Sequence, residues 1–366
     1  MSRYIYPFAT FPHNSVILQS KLNKAAERLA TKLADFQLPQ GAISPFIEQY
    51  LTSNLKYLQA TLQRYTFLLT WALAPYSSKN NDEIVLVDYG GGSGMCSLLA
   101  KEAGIGTVVY VDIYDVCCHD AQYIAQALGL AAEHYINGGI DVLLSYLKDN
   151  KIKGDTLVSY DTLEHIYDID DFFTKIKSVS SDRISFMMAS GANPLNPLIS
   201  RRIMKLQRKV EFKGKIRQQG EDVRNPEEPL VILRGKIILN YYSHLSRIEA
   251  DMLAQKTRGM RYEDIIKCVD SYVSKRLIPK EPEHPTNTCD PFTGNWCERL
   301  LNPYSLGDIL RGVGFSVKIL PGFYGSGGKD PKLKQAARYY VNLAIALSRN
   351  FGLRMAPYYC IYAQRG

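Results

Sequence analysis

The sequence predicts an α/β fold, in which a doubly wound and mostly parallel sheet carries helices on its faces. Between residues 83 and 192, short apolar runs alternate with stretches of helical periodicity, as in parallel α/β sheets. A glycine-rich turn, Gly90-Gly91-Gly92-Ser93-Gly94, joins the first apolar run to the first helix of this region. The chain has 366 residues and is 46% hydrophobic, so it can bury a sizeable core.

Two helical regions are predicted ahead of the sheet. Apolar residues recur at steps of three and four from residue 14 to residue 36, which indicates a helix with one apolar face. Ser44-Pro45 is typical of an N-cap followed by the first helical position, and the second region extends to about Trp71. We expect the helix over 14–36 to pack on its own chain, with a homodimer contact or a lid over a binding site as alternatives.

Five strands and three helices are predicted in the central segment. The strands cover residues 84–87, 107–111, about 134–136, 156–160 and 184–189. The helices cover residues 97–103, 115–128 and 169–176. After a long interruption, the pattern resumes with a helix at 305–311, a strand at 315–320, a helix at 333–350 and a strand at 358–363.

Four segments follow from this pattern. They are an N-terminal helical cap (1–82), a core with the glycine turn (83–192), an insertion expected to form the substrate region (193–302) and the completion of the sheet (303–366). The insertion loses the alternation of strands and helices. It begins with a basic run, 201–217, continues with helical periodicity over 246–275, and then has a loop-forming composition over 278–296.

The glycine turn is the first candidate binding site. Glycines between a strand and a helix let a ligand approach the backbone, and the helix N-terminus supplies free N–H groups. A dinucleotide-binding G-x-G-x-x-G counted from Gly90 would end at residue 95, which is Met95. Asp112 ends the second strand, where a carboxylate can accept hydrogen bonds from both hydroxyls of a ribose. The pattern therefore predicts a ligand that contains a ribose.

The residues around this turn resemble those of class I, Rossmann-like, S-adenosylmethionine-dependent methyltransferases. Asp88 stands two positions before a G-x-G-x-G formed by Gly90, Gly92 and Gly94, as in that family. The segment 159–166, SYDTLEHI, resembles the end of the fourth strand in its small-molecule branch, and 310–324 is more loosely similar to a late helix, turn and strand. The resemblance implies a sheet of about seven strands with the last antiparallel. It also implies methyl transfer from S-adenosyl-L-methionine.

The resemblance also implies roles for particular residues. The cofactor's methionine end would contact Asp88, Tyr89, Gly90, Gly92 and Gly94; its ribose would contact Asp112; its adenine would contact Ile113 and Ile140 or Asp141; and Asp161 would lie beneath it. His165 is the candidate base for an acceptor hydroxyl, since an unperturbed imidazole titrates near pH ~6.5; the alternative is a loop-stabilising hydrogen bond. Trp296, Glu298 and Arg299 are candidate acceptor contacts, or they lock the insertion in place.

The expected acceptor is a small molecule or a glycan-type molecule, methylated on oxygen or nitrogen. The net charge of +8 is a mild excess over this length. One alternative is a nucleic-acid methyltransferase that uses the 201–217 segment. It is disfavoured because the fourth strand ends in Tyr160-Asp161-Thr162-Leu163, without the Asn/Asp-Pro-Pro-Tyr expected for methylation of base amino groups. A silent scaffold that only binds the cofactor is another alternative.

Composition also bears on location and metals. Seven cysteines without a regular framework indicate reduced thiols, and no signal peptide or membrane span is evident, so a cytoplasmic location is expected. No metal site is predicted, because the spacing of His284, Cys289, Asp290 and Cys297 matches no zinc pattern.

Overall fold

The computed structural model describes residues 3–180, 183–214, 228–327 and 331–365. In these ranges the strands are β1 (Val85–Tyr89), β2 (Thr107–Asp112), β3 (His134–Asn137), β4 (Thr156–Tyr160), β5 (Ile184–Ser190), β6 (Ser316–Pro321) and β7 (Tyr359–Arg365). The α-helices are α1 (Val16–Ala34), α2 (Pro45–Lys56), α3 (Leu58–Leu73), α4 (Met95–Glu102), α5 (Asp115–Ala127), α6 (Ile140–Asp149), α7 (Ile169–Ile176), α8 (Pro197–Lys213), α9 (Leu230–Tyr241), α10 (Arg247–Lys256), α11 (Tyr262–Lys275), α12 (Pro303–Gly312) and α13 (Lys332–Leu347).

The seven strands form one sheet in the order β3-β2-β1-β4-β5-β7-β6. Strands β1 to β5 pair in parallel, and β7 runs antiparallel to both β5 and β6. The predicted α/β fold, with a mostly parallel sheet and an antiparallel last strand, is therefore confirmed. The strand order reverses direction between β1 and β4, and the crevice outside the carboxyl ends of such a pair is where open α/β sheets bind ligands.

The chain divides into two compact units. The first comprises Met1–Leu163, Asp170–Asn196 and Asn302–Gly366, and it contains the whole sheet. The second comprises Glu164–Ile169 and Pro197–Leu301. The second unit thus contains residues 197–301, which lie within the segment 193–302 described above as an insertion, together with the six residues that follow Leu163.

The first unit is built around the sheet and the N-terminal helices. Helix α1 buries Leu22, Ala25, Leu29 and Leu33 on one face, which confirms the predicted amphipathic helix. Ser44 caps α2 by accepting a hydrogen bond from the Ile47 N–H at 3.2 Å, as its sequence position predicts. All seven residues of β5 are buried, as expected for a strand covered on both faces.

Two helix predictions differ from the structure, and two further helices were not predicted. The single helical region expected over 44–72 is two helices, because the backbone leaves helical geometry at Tyr57. The periodic stretch 246–275 also breaks, and Gly259 adopts a left-handed φ of 81° between α10 and α11. Helices α6 and α9 were not among the predicted elements, although α6 buries Ile140, Leu143 and Leu147 at helical spacing.

The second unit is helical, and its interior holds a buried ion pair beside an apolar core. Arg234, on α9, is fully buried and pairs with Glu211 on α8. The Glu211 carboxylate also accepts a hydrogen bond of 2.8 Å from the Thr288 hydroxyl, and the Arg234 Nε donates to the Ala254 carbonyl at 2.8 Å. These bonds satisfy a cation and an anion that burial would otherwise destabilise.

Two further observations concern the chain as a whole. All seven cysteines lie in the described ranges, and each is a free thiol. No described helix is both long enough and apolar enough to cross a bilayer.

Candidate functional site

The candidate site in the first unit begins at the turn between β1 and α4. Gly90, Gly92 and Gly94 have φ angles of 73°, 52° and 76°, a left-handed region that side chains other than glycine rarely adopt. The N–H groups of Gly90 and Gly91 both donate to the Val111 carbonyl, at 2.8 and 3.2 Å. The turn is therefore tied to the end of β2 and presents the N-terminus of α4 at the carboxyl edge of the sheet.

Close packing requires glycine at two positions of the turn. A Cβ on Gly90 would lie 2.2 Å from the Thr162 Oγ1, and one on Gly91 would lie 2.3 Å from the ring of Tyr110. No atom lies within 4 Å of the position that a Cβ on Gly92 would take. The turn thus packs tightly against its own strands and leaves open space beside Gly92, as a cradle for a ligand does.

Asp112 lies at the end of β2 and holds the turn. Its Oδ2 accepts a hydrogen bond from the Gly92 N–H at 3.0 Å, and its Oδ1 accepts one from the Tyr114 N–H at 3.0 Å. Burial raises the pKa of Asp112, and the N–H groups of Tyr114 and Gly92 oppose that rise. A carboxylate has about four acceptor positions. The Gly92 and Tyr114 N–H groups use two of these positions, and the Cys117 thiol and the Ile113 N–H also interact with the carboxylate.

Asp88 is buried at the end of β1, where it bonds to the first turn of α4. Its carboxylate is 3% exposed, and its Oδ2 accepts hydrogen bonds from the N–H and the hydroxyl of Ser97, at 3.0 and 2.7 Å. Burial raises the pKa of Asp88 to about 6, against the lowering effect of Ser97. Asp88 thus fixes the first turn of α4. Its neighbour Tyr89 is buried, and its ring lies 5.2 Å from that of Phe172.

The residues proposed for the adenine differ in exposure. Ile113 follows β2 and is 54% exposed, so its side chain is available to a ligand. Ile140 opens α6 and is only 8% exposed, and the neighbouring Asp141 forms an exposed ion pair with Lys175 at 2.9 Å. The Asn137 side chain donates to the Ile113 carbonyl at 3.0 Å, which fixes the backbone that carries the exposed isoleucine.

The end of β4 forms the other side of the crevice between β1 and β4, which is the point where the strand order of the sheet reverses. Asp161 has a left-handed φ of 54°, and its Oδ1 accepts a hydrogen bond from the Gly191 N–H at 2.6 Å. The next residue, Thr162, donates to the Tyr89 carbonyl at 3.4 Å and is the residue that a side chain on Gly90 would strike. The ends of β1 and β4 are thus held together, and Asp161 is placed beside β5.

Sequence patterns missed the contribution of the N-terminal helices. The Asn54 side chain, on α2, donates to the Ser93 hydroxyl inside the glycine turn at 2.9 Å. On α3, the Arg64 guanidinium lies 4.2 Å from the ring centroid of Tyr160, the last residue of β4. No local pattern signals either contact, because each joins residues that are far apart in the sequence.

His165 belongs to the second unit. Its Nδ1 lies 2.8 Å from the Trp296 carbonyl oxygen, which can only accept a hydrogen bond. The Nδ1 therefore carries the proton, and Nε2 is the free acceptor of the neutral ring. This is the tautomer that a general base needs, and it is equally the hydrogen bond that the structural alternative for His165 requires.

The candidate acceptor residues of the insertion form a stack. The rings of Trp296 and Tyr167 lie 6.1 Å apart and nearly parallel, with Arg299 4.3 Å from the Trp296 ring and Arg261 4.8 Å from the Tyr167 ring. The Arg299 backbone N–H also donates to the Glu164 carbonyl at 3.1 Å. These contacts hold the segment 164–169 to the rest of its unit.

Glu298 contributes to the structure of this loop through its backbone. It adopts a left-handed φ of 49°, and its carbonyl accepts a hydrogen bond from the Gln207 side chain at 2.8 Å. The second unit thus places Trp296, Glu298 and Arg299 in a structured loop, in which Trp296 and Arg299 already make contacts within the unit.

The basic run forms one face of α8. Six cations of the described part are exposed, and the opposite face buries Ile203, Gln207, Val210 and Glu211; the cations are Arg201, Arg202, Lys205, Arg208, Lys209 and Lys213. Residues 215–217 of the predicted run lie outside the described residues. In the described ranges, no group of three or more His, Cys, Asp or Glu side chains is placed to hold a metal ion.

Comparisons with known proteins add structural neighbours. No protein-family model matches the sequence, and no curated protein matches it either. Among solved structures, the plantazolicin methyltransferase BamL, in complex with a triazolic desmethylPZN analog and SAH, is similar at a TM-score of 0.41 and 13% identity, over 95% of this chain and 98% of that one.

Two further structures are S-adenosylmethionine-dependent methyltransferases. The one from Archaeoglobus fulgidus has a TM-score of 0.37 and 14% identity, over 86% of this chain and 99% of that chain. The one from Aquifex aeolicus has a TM-score of 0.34 and 12% identity, over 80% and 86%. At such similarity, any assignment of function rests on this chain's own residues. By its own strand order, the chain has a seven-stranded Rossmann-like fold.

Proposed function

We propose that the chain is an S-adenosylmethionine-dependent methyltransferase acting on an oxygen or nitrogen of a small-molecule or glycan-type acceptor. One observation carries the proposal: a turn with three left-handed glycines lies at the switch point between β1 and β4. Asp112 and the exposed Ile113 flank it. This combination suits a nucleoside with a charged tail, because the carboxylate can accept from ribose hydroxyls and the isoleucine can cover a base.

Different residues of the site would bind different parts of the cofactor. Asp112 would hold the ribose, Ile113 would cover the adenine, and the open side of Gly92 would receive the methionine end. We assign Asp88 to positioning, since its carboxylate already binds Ser97. When bound, the cofactor supplies an electrophilic methyl group on a sulfonium. The contribution of the chain is then to align the acceptor with that methyl group and to exclude water.

His165 is our candidate for the base that removes the acceptor's proton. Its Nδ1 is engaged by the Trp296 carbonyl, so its Nε2 remains free to accept a proton. Once an acceptor is known, His165→Ala should bind S-adenosylhomocysteine as tightly as the wild type and lower the rate of product formation by ~10²–10⁴-fold. A product rate that matches the wild type would remove His165 from the mechanism.

The cofactor assignment is tested by titration calorimetry. The folded wild type should bind S-adenosylmethionine and S-adenosylhomocysteine at micromolar concentration and should not bind NAD⁺, which needs a third glycine where Met95 stands. If the protein bound NAD⁺ and neither of the other two ligands, it would be a dinucleotide-binding protein instead. A folded protein that binds none of the three ligands would contradict the proposed function.

A second candidate acceptor is a nucleic acid, and the exposed cations of α8 favour it. If α8 binds phosphates, the logarithm of the RNA or DNA association constant should fall linearly with the logarithm of salt concentration. Replacing Arg201, Lys205 and Arg208 with Gln should make that slope shallower by about three-quarters to one per cation, if each residue contacts a phosphate. Absence of binding at low salt would leave the small-molecule acceptor.

The free thiols favour a reducing compartment such as the cytoplasm.

A further inference from the structure

Arg64 lies among tyrosine rings at the same edge of the sheet as the glycine turn. Arg64, on α3, is partly buried, and its guanidinium lies 4.2 Å from the ring centroid of Tyr160. The Tyr160 ring is met edge-on by Tyr65 at 6.2 Å and by Tyr358 at 5.9 Å. We call these four residues the Arg64 box.

The strand register fixes the position of the box. Tyr160 is the last residue of β4, and Tyr358 immediately precedes β7, whose first residue pairs with Ser190 at the end of β5. β7 is antiparallel to β5, so its beginning lies at the carboxyl edge. The box therefore lies over the carboxyl ends of β4 and β5 and the beginning of β7, beside the crevice between β1 and β4 where the glycine turn lies.

The charge of Arg64 is not matched by an ion pair. Among the residues that the structure describes, none forms a salt bridge or a hydrogen bond with its guanidinium, and the negative charge of Asp161 acts on it electrostatically. Stacking on Tyr160 supplies part of the stabilisation that a partly desolvated cation needs. Its N–H donors have no acceptor within the described protein, and because Arg64 is only partly buried they remain accessible to water or to a ligand.

We propose that the Arg64 box binds a carboxylate of a ligand at the carboxyl edge of β4. A guanidinium whose face is stacked on an aromatic ring keeps its in-plane N–H donors available, and these match the two oxygens of a carboxylate. The tyrosine rings around it reduce its exposure to water, which strengthens such a pair. The carboxylate belongs either to the amino-acid end of the cofactor or to the methyl acceptor. The identification of these two sources rests on the proposed function. The existence of a carboxylate-binding site at Arg64 does not depend on it.

The first arm of the test examines the cofactor. S-adenosylhomocysteine and 5′-methylthioadenosine, which lacks the amino-acid end, are titrated by calorimetry into the wild type and Arg64→Met. If the carboxylate is the cofactor's, Arg64→Met weakens S-adenosylhomocysteine by ~10-fold or more, as expected for a lost charge-assisted hydrogen bond, and leaves methylthioadenosine unchanged. Arg64→Lys should restore only part of the affinity, because an ammonium lacks the planar fork.

The second arm examines the acceptor. Modification of Arg64 by phenylglyoxal is followed by peptide mass spectrometry, with and without S-adenosylhomocysteine, in the presence of benzoate or of benzamide as its uncharged analogue. If the carboxylate is the acceptor's, Arg64→Met leaves S-adenosylhomocysteine binding unchanged, and benzoate but not benzamide slows the modification. Either pattern supports the proposal and identifies the source.

Controls separate this inference from folding and from the proposed function. Arg183→Met is the matched variant, because Arg183 also stacks on a tyrosine, Tyr76, at 5.6 Å but precedes β5 at the opposite edge of the sheet. It should bind both nucleosides as the wild type does. If Arg64→Met binds both nucleosides normally and benzoate gives no protection, the box does not bind carboxylates. Should the wild type bind neither nucleoside, the proposed function fails, and the benzoate arm without nucleoside still decides this inference.

Discussion

The Asp112 carboxylate accepts a hydrogen bond from the Gly92 N–H at 3.0 Å, so the side chain that ends β2 holds the glycine turn that follows β1. The second carboxylate oxygen accepts from the Tyr114 N–H, also at 3.0 Å. The position expected to bind ribose is therefore part of the same hydrogen-bonded unit as the turn expected to bind the methionine end. Changes at Asp112 should affect both the ligand and the shape of the turn.

Asp112→Ala should weaken S-adenosylhomocysteine binding by ~1–3 kcal/mol, because it removes ribose acceptors and frees the Gly92 N–H. Calorimetry measures the affinity, and thermal unfolding verifies that the variant is folded. Asp115→Ala is the control, since Asp115 is exposed three residues later, in the first turn of α5. Equal affinity of Asp112→Ala and the wild type would remove Asp112 from the binding site.

Gly90→Ala should destabilise the first unit more than glycine replacement at an open position does. Gly90 has a φ of 73°, and its added Cβ would lie 2.2 Å from the Thr162 Oγ1. Gly129 has a φ of 66° with no atom within 4 Å of its Cβ position, so Gly129→Ala isolates the backbone cost of about 1–2 kcal/mol. Gly90→Ala should cost ~1–3 kcal/mol more through overpacking.

Denaturant unfolding measures both glycine variants. Thr162→Ala removes the hydroxyl and the methyl that lie closest to the added Cβ, so it should recover part of the loss in the Gly90→Ala background. A double-mutant cycle gives this coupling free energy. Equal losses at Gly90 and Gly129, with no coupling to Thr162, would show that the turn relaxes away from β4.

Asp88→Asn should make the protein relatively more stable as the pH rises. The pKa of Asp88 is raised from 3.8 to about 6 in the folded protein, so the folded state binds the proton more tightly than the unfolded state does. The wild type should therefore lose stability relative to Asp88→Asn between about pH 4 and pH 6, by up to about 3 kcal/mol, and the difference should stay constant above that range.

The Asp88 prediction is measured by urea unfolding of both proteins at several pH values. Asparagine keeps an acceptor oxygen for the Ser97 N–H, so the comparison changes the charge more than the hydrogen bonding. Subtracting one curve from the other removes the titration of all other groups. A difference that does not vary from pH 4 to pH 7 would mean that Asp88 titrates normally.

Glu211→Gln should destabilise the second unit by about 3–5 kcal/mol, because it leaves the fully buried Arg234 without its counter-charge. The double variant Glu211→Met, Arg234→Met should cost less than either single change, since no charge then remains buried. Asp251→Asn is the exposed control in the same unit; its pair with Arg247 should contribute about 0–1 kcal/mol.

Tryptophan fluorescence reports the two units separately. The chain has two tryptophans, Trp71 in the first unit and Trp296 in the second, so a Trp71→Phe background isolates the second unit. Urea unfolding followed in that background gives the cost of each change at Glu211. A loss no larger than that of the exposed control would show that the buried pair adds little to stability.

Short-range patterns in the sequence were sufficient to predict most strands of the sheet. The apolar runs and the glycines between them predicted the strands and the turn, because strand burial and left-handed turns depend on residues within a few positions of one another. The same information was present for α6, whose Ile140, Leu143 and Leu147 have helical spacing, although the helix was not predicted. The break at Tyr57 has no such local signal, since neither proline nor glycine is present there.

The sequence by itself determined the class of fold, the position of the glycine turn and the acidic residue that ends β2, all of which depend on short-range pattern. Only the tertiary structure decided how these groups are used. It binds Asp88 to Ser97, joins Asn54 to Ser93, stacks Arg64 on Tyr160 and closes Trp296 on Tyr167. All but the first of these contacts join residues from distant parts of the chain. They depend on how strands and helices pack in three dimensions, and a one-dimensional pattern carries no record of that packing.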